Sequence, residues 1–192
     1  MRQYEQKTFK LPELDGLSGR QIEEHLKLYA GYVKNVNALL ERLEALRSDV
    51  PASAERSELQ RRLGFEFDGM RLHERYFEQL AGGPSEEAPE LKKKLAERHG
   101  DFDRWLEGFK TIAKMRGVGW ALLVKDPDTG RLHDVWVSDH ETGHLAGCRI
   151  LLTLDIWEHA FLLDYPPAGR GDYIEAFFRN LDWRVVEKRF LS

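Results

Sequence analysis

One long helical pattern near the N-terminus constrains the fold more than any other feature. Apolar side chains recur every three or four residues from Leu17 to about Leu46, as in a single amphipathic helix, and Ser18 is a plausible N-cap. The stretch RSDVPASAERSE then breaks the pattern at Pro51, and a second helical pattern runs from about Glu58 to Leu80. Two long helices joined by a short turn predict an antiparallel helical hairpin.

The sequence leaves the first residue of the second helix undecided and predicts a break within the helix. Ser53 and Ser57 could each cap it, and the glycines at 64 and 69 in GFEFDGM predict a bend or an interruption. AGGPSEEAPE (81–90) is rich in glycine, proline and acidic residues and predicts a linker. We therefore expect a hairpin domain over 1–83 and a second domain over 84–192.

Beyond the linker the pattern changes from helix to strand. PELKKKLAERHG and DFDRWLEGFKTIAKM predict two short helices, and GWALLVKD, RLHDVWVSD and CRILLTLD predict three short strands, with DPDTG as a turn. DYIEAFFRNLDWRVVEKRF predicts one or two closing helices. The expected fold class is α+β: a long N-terminal α-hairpin followed by an α/β domain with a small three-stranded antiparallel sheet.

Composition argues against several classes of protein. The net charge of −4 gives no electrostatic footprint for nucleic acid. The apolar runs are too short to span a membrane, and MRQYEQKTFKLPEL lacks the apolar stretch of a secretion signal. The one cysteine, Cys148, excludes an internal disulfide and a cysteine-rich zinc site. We expect a cytoplasmic enzyme or binding protein.

HETGHLAG (140–147) matches the zinc-peptidase motif H-E-x-x-H. In such an enzyme His140 and His144 would bind zinc and Glu141 would act as general base. The motif requires a helix, because residues four apart share a face there. Gly143 and the strand patterns on both sides argue against a helix, so a zinc peptidase is a minor alternative to two histidines in a strand connection.

A second candidate lies in LDIWEHAFLLDY, where Asp155 and His159 stand among apolar residues. Burial makes an unpaired carboxylate or imidazole costly. An Asp–His pair in the core would satisfy both groups. A transition-metal ion with further histidines would also satisfy them, because this mixture of ligands suits iron, manganese or zinc. The two residues alone leave both explanations open.

Further segments favour the metal. DIWEHA (155–160) carries the D-x-W-E-H-A signature of the iron/manganese superoxide dismutase family, and four other segments resemble that family in the same order. They are HLKLYAGYVKNVNALL (25–40), LHERYFEQL (72–80), GVGWALLV (117–124) and DYIEAFFRNLDWRVVEKRF (172–190). This resemblance spans nearly the whole chain. It implies a superoxide dismutase with one iron or manganese ion per chain, converting superoxide anion to dioxygen and hydrogen peroxide.

The resemblance implies a metal site between the two domains. Its ligands would be His25 and His73 from the hairpin and Asp155 and His159 from the second domain. In the family the first histidine precedes a tyrosine by eight residues, whereas His25 precedes Tyr32 by seven. Seven steps keep both on one face of a regular helix. An ungapped alignment would instead make Glu24 the ligand; we prefer His25 because imidazole is the family's ligand.

The resemblance also implies roles around the metal. Many members carry a glutamine that bonds metal-bound solvent, at a position held here by Gly69 or at one held by His140. His140 is therefore expected to donate to that solvent, and Tyr32 to relay protons. Trp120 and Trp157 resemble the hydrophobic cage around the family's metal site, although tryptophans of an ordinary hydrophobic core would give the same sequence pattern.

The family's subunit contacts imply a homodimer or a dimer of dimers. Glu158 would bond the ligand histidine of a second subunit, and Arg170 would steer the anion unless it is merely a solvated surface residue. A histidine and a tyrosine that pair across the family's dimer are replaced here by Leu28 or Tyr29 and by Leu162. The main alternative is therefore a family relative that kept the fold, lost turnover and serves as a structural or interaction module.

Overall fold

The computed structural model describes residues 3–48 and 50–192. Within these ranges, four α-helices precede a three-stranded sheet and two α-helices follow it, which confirms the α+β class. The helices are α1 (Gly19–Ala45), α2 (Ala54–Glu78), α3 (Pro89–His99), α4 (Phe102–Ala113), α5 (Arg170–Asn180) and α6 (Trp183–Leu191). The strands are β1 (Gly119–Lys125), β2 (Leu132–Ser138) and β3 (Arg149–Asp155), and short 3₁₀ turns cover Glu158–Ala160 and Pro167–Gly169.

The first helix begins where its capping residue predicts. The Ser18 side chain accepts a hydrogen bond from the backbone N–H of Gln21 at 3.1 Å, which satisfies one of the free donors at the start of α1. The buried stripe of α1 includes Ile22, Tyr29 and Val36, which follow one another at seven-residue steps and face α2 and the core. This spacing returns to nearly the same side of a regular helix, so α1 presents one continuous apolar face.

The second helix departs from the prediction. It begins at Ala54, capped by Ser53, and continues through both glycines without the interruption that was expected. Each glycine lies where another segment approaches: a Cβ at Gly69 would stand 2.7 Å from the Tyr32 ring, and one at Gly64 would stand 3.4 Å from the Glu141 carboxylate. Packing of α2 against its neighbours therefore outweighs the low helix propensity of glycine.

The sheet is antiparallel throughout, with order β2–β1–β3 and the predicted turn between β1 and β2. Its central strand is buried along nearly its whole length. Trp120 near the start of β1 pairs with Val137 on one side and with Asp155 at the end of β3 on the other. This register brings residues of both outer strands to one end of the sheet.

Buried polar contacts join the hairpin to the sheet. The Gln79 side chain, just after α2, donates to the Thr153 carbonyl and accepts from the Thr153 N–H at 3.3 Å. Arg189 of α6 donates to the Leu151 carbonyl at 2.9 Å and to the Arg75 carbonyl at 3.0 Å. These bonds fix α2 against β3. None of the helices in the described ranges is long and apolar enough to cross a membrane.

Candidate metal centre

Four side chains from distant parts of the sequence converge between the hairpin and the sheet. His25 comes from α1, His73 from α2, Asp155 from the end of β3 and His159 from the 3₁₀ turn that follows. One donor atom of each lies within 4.8 Å of the others. The Asp155 Oδ2 atom is 3.1 Å from the Nε2 of His25, 3.1 Å from that of His159 and 3.5 Å from that of His73.

Hydrogen bonding orients His73 for a cation. Its Nδ1 lies 2.6 Å from the Gly69 carbonyl, which can only accept, so Nδ1 carries the hydrogen. In a neutral ring the Nε2 lone pair then faces the Asp155 carboxylate, and two acceptors that face each other in a buried site repel unless a cation lies between them. This donor set of nitrogens and one carboxylate oxygen therefore fits a first-row transition metal.

The charge states also suit a metal. Burial lowers the pKa of His25 and lowers the pKa of His73 well below the usual range, so both rings are neutral. Burial alone would raise the pKa of Asp155, but its interactions with His159 and His25 outweigh burial and hold that pKa far below its usual value. Neutral imidazole and ionised carboxylate are the forms that bind metals.

Further contacts hold the Asp155 carboxylate in place. Its Oδ1 atom accepts from the Trp157 backbone N–H at 2.8 Å, and its backbone carbonyl accepts from the Tyr173 hydroxyl at 2.8 Å. The Tyr173 hydroxyl lies 3.3 Å from that of Tyr76, whose ring centre is 5.0 Å from that of His25. Sequence reasoning gave these tyrosines no role, although both stand in segments that resemble the dismutase family.

A second set of bonds links His140 to Tyr32. Trp120 Nε1 donates to His140 Nδ1 at 2.9 Å, and because the indole only donates, the hydrogen of a neutral His140 is on Nε2. Burial lowers the pKa of His140 to about 4, which keeps the ring neutral. Nε2 therefore donates to the Tyr32 hydroxyl at 2.6 Å. The sequence predicted that His140 would donate to metal-bound solvent; in the structure this nitrogen donates to Tyr32.

With this geometry in view, comparison with known proteins identifies the family. Residues 86–189 match the family model described as "Iron/manganese superoxide dismutases, C-terminal domain". The chain belongs to the iron/manganese superoxide dismutase family.

Other relatives extend the match over most of the chain. The chain is 38% identical to "Superoxide dismutase [Fe]" of Aquifex aeolicus over 188 residues, which cover 94% of this chain and 87% of that protein. It is 36% identical to "Superoxide dismutase [Fe]" of Methanothermobacter thermautotrophicus, covering 99% and 98%. It is 41% identical to "Superoxide dismutase [Mn]" of Haloarcula marismortui over a shorter stretch that covers 64% and 60%.

Aromatic rings surround the converging histidines of this dismutase-family chain. Trp120 meets His73 edge-on with ring centres 5.0 Å apart, and Trp157 stacks on both His159 and His140 at 5.6 and 5.0 Å. Phe65, which sequence reasoning did not select, lies 4.6 Å from the His140 ring. The sequence gives little indication of this role, since a single phenylalanine on a helix is typical of an ordinary core position.

Three other residues singled out from the sequence lie outside the cluster. Glu24 is half exposed on α1 and pairs with Lys27 at 2.8 Å. Arg170 donates to the carbonyls of Met115 and Gly117 at 2.8 and 3.1 Å, which ties α5 to the loop before β1. Glu158 is exposed on the turn beside His159.

The HETGH segment lacks the geometry of a zinc peptidase. It forms a non-helical connection between β2 and β3, so its histidines do not share a helical face. The His144 Nε2 atom donates to the His140 carbonyl at 2.9 Å, while both ring nitrogens of His140 are occupied by Trp120 and Tyr32. Among the described residues, the potential metal-binding group is His25, His73, Asp155 and His159.

Proposed function

We propose that this chain is a superoxide dismutase that holds one iron or manganese ion between His25, His73, Asp155 and His159. One observation carries the proposal: in a chain of the dismutase family, a buried ionised carboxylate faces three imidazole nitrogens at 3.1–3.5 Å. When bound, a redox metal supplies the one-electron chemistry by which two superoxide anions and two protons become dioxygen and hydrogen peroxide. Zinc, which has no redox chemistry, would not support it.

The residues beside the ligands would handle protons. His140 donates to the Tyr32 oxygen, so the hydroxyl hydrogen of Tyr32 remains available to another acceptor. Burial raises the pKa of Tyr32, which keeps this hydroxyl protonated. The Trp120 indole fixes the tautomer of His140 on which this direction depends. We assign Tyr32 as the proton donor to the reacting oxygen and His140 as the residue that orients it.

The rings of Trp157 and Phe65 would limit the access of water to this chemistry. Both rings are partly buried and pack on His140 from different sides. A site walled by aromatic rings has a low local dielectric, which strengthens the electrostatic interactions inside it.

We also infer the domain division at residues 83 and 84, with the metal site between the domains. The match to the C-terminal family model begins at residue 86, shortly after this boundary. Two of the four proposed ligands lie on each side of it. For the environment we propose the cytoplasm, in keeping with a sequence that has a single cysteine and so no internal disulfide.

We further propose a homodimer, or a dimer of dimers, built on the face beside His159. The His159 side chain is 18% exposed; Glu158, Leu162 and Leu163 are exposed on the same turn and just after it, and Leu28 is exposed on α1. Covering these leucines with a second subunit would remove apolar surface from water.

Leu162→Glu is expected to yield monomers in size-exclusion chromatography with light scattering, whereas Leu191→Glu on the exposed end of α6 is not. Equal masses for both variants and the unaltered chain would contradict this face.

The function is tested by loading the metal-free chain separately with iron, manganese and zinc. We expect one ion per chain and superoxide consumption with iron or manganese alone. His73→Gln should lose both the stoichiometric metal and the activity, while His99→Gln, a histidine outside the site, should keep both. Bound iron or manganese without superoxide consumption would instead support a relative that kept the fold and lost turnover.

A further inference from the structure

An arginine lies over the aromatic wall of the site. The Arg62 guanidinium carbon is 3.8 Å from the centre of the Phe65 ring, and that ring is in turn 4.6 Å from the ring of His140 and 6.2 Å from that of Tyr32. Phe65 thus contacts both the guanidinium and His140, and the distance from the guanidinium to the His140 ring cannot exceed the 3.8 Å and 4.6 Å separations taken together. A charge at that separation still acts on the site, because the Debye length is about 8 Å at physiological salt.

The side chain of Arg62 is held by neighbours on its own helix and on α1. Its Nε donates to Glu66 Oε1 at 2.9 Å, and Glu66 Oε2 accepts from the Asn35 amide at 3.0 Å. The Glu66 side chain is only 6% exposed whereas that of Arg62 is 44% exposed. The carboxylate therefore lies beneath the surface, and an ion arriving from solvent meets the guanidinium.

Negative charges lie close to this arginine in a chain that is acidic overall. The chain carries a net charge of −4, and the residues directly after His140 and directly before His159 are Glu141 and Glu158. An anionic substrate is repelled by such a surface, so a fixed cation beside Phe65 and Tyr32, which are both partly exposed, raises the local concentration of the anion there.

We propose that Arg62, stacked on Phe65 and braced by Glu66, guides the superoxide anion to the space beside Tyr32 and His140. This inference rests on the proposed dismutase function. It assigns to Arg62 the steering role that the sequence suggested for Arg170, whose guanidinium is bonded to backbone carbonyls.

The test compares the iron-loaded chain with three variants over a range of ionic strength. Arg62→Gln should lower kcat/KM for superoxide about three-fold at low salt while leaving kcat unchanged, and the difference should vanish at high salt. Arg62→Lys should keep most of the rate. Glu66→Gln, which leaves the arginine charge without its partner, should raise kcat/KM; damage to the fold would not produce that increase.

Arg47→Gln is the matched control, because it removes one positive charge from an exposed ion pair at the tip of the hairpin. It should leave kcat/KM close to that of the unaltered chain. Azide, a small monoanion, gives a readout without turnover: its affinity for the iron-loaded protein should fall about three-fold in Arg62→Gln and return with Arg62→Lys.

The outcomes separate the two proposals. Arg62→Gln and Arg47→Gln with equal kcat/KM and equal azide affinity at low salt would overturn the role of Arg62. A loss in Arg62→Gln that does not depend on ionic strength would overturn it as well. If the unaltered iron-loaded chain does not consume superoxide, the proposed function fails, and the azide series still decides whether Arg62 attracts anions.

Discussion

Gly69 serves the site in two ways, although it has no side chain. Its carbonyl accepts the Nδ1 hydrogen of His73 and so leaves the other nitrogen of that ring directed at Asp155. Its missing Cβ leaves the space in which the Tyr32 ring lies. Any side chain in place of this glycine would displace Tyr32.

Gly69→Ala should therefore damage proton transfer more than it damages folding. A Cβ 2.7 Å from the Tyr32 ring forces that ring to move and weakens its 2.6 Å hydrogen bond with His140. We expect kcat to fall about ten-fold with the metal content retained, as when a proton-transfer group is misplaced. Steady-state superoxide consumption and metal analysis measure the two quantities.

Gly31→Ala provides the control, since a Cβ at that position in α1 meets no atom within 4 Å. It should keep full activity and stabilise the fold by about 0.5–1 kcal/mol, the usual gain in a helix interior. Equal kcat for both alanine variants would show that the position of Tyr32 does not depend on Gly69.

At the scale of elements, the joint between α2 and β3 sets the distance between the two halves of the site. His73 lies on α2 and Asp155 ends β3, and Gln79 connects these elements by two bonds to the Thr153 backbone. Gln79 is fully buried, so its amide also depends on these partners. Because the joint lies two residues from Asp155, a shift of β3 here would carry the carboxylate away from the histidines.

Gln79→Leu should destabilise the chain by about 2–3 kcal/mol, because it leaves a buried backbone N–H and carbonyl without their partners. Urea denaturation of the metal-free protein measures the change in the free energy of unfolding. The comparison is Gln60→Leu on the exposed face of α2, which should change that free energy by no more than about 0.5 kcal/mol. A Gln79 variant as stable as the Gln60 variant would show that this joint contributes little.

At the scale of the whole molecule, the site joins segments that are otherwise far apart in the sequence. Asp155 contacts His25, which precedes it by 130 residues. An unfolded chain does not hold these groups together, so binding energy from a metal at this site adds to the stability of the folded state.

Removal of the metal by a chelator should lower the melting temperature. With free metal at about 100 times its Kd, bound metal adds about 2.7 kcal/mol. For a chain of this size that corresponds to a shift of about 5–10 °C. Calorimetry of the loaded and metal-free protein measures the shift, and His73→Gln should show almost none on addition of the same metal. An equal shift in that variant would mean that the stabilising metal binds elsewhere.

Much of the fold could be predicted because local patterns carry it. Ser18 caps α1 through the nearby Gln21 N–H, and the three predicted strands pair as a small antiparallel sheet. The continuity of α2 could not be predicted, because the glycines that should weaken it are packed under Tyr32 and Glu141 from other segments. Helix propensity describes only the local chain, and these contacts are not local.

For the candidate site, the sequence by itself determined which residue types are available: an Asp–His pair in DIWEHA, two further histidines on helices, and a resemblance strong enough to imply a redox metal. Only the tertiary structure decided how they are used. It places Trp120 and Tyr32 on opposite nitrogens of His140, gives His73 its tautomer through Gly69 and sets Arg62 over Phe65. The physical reason is that protonation and hydrogen-bond direction depend on which distant groups meet, and Tyr32 and His140 are 108 residues apart.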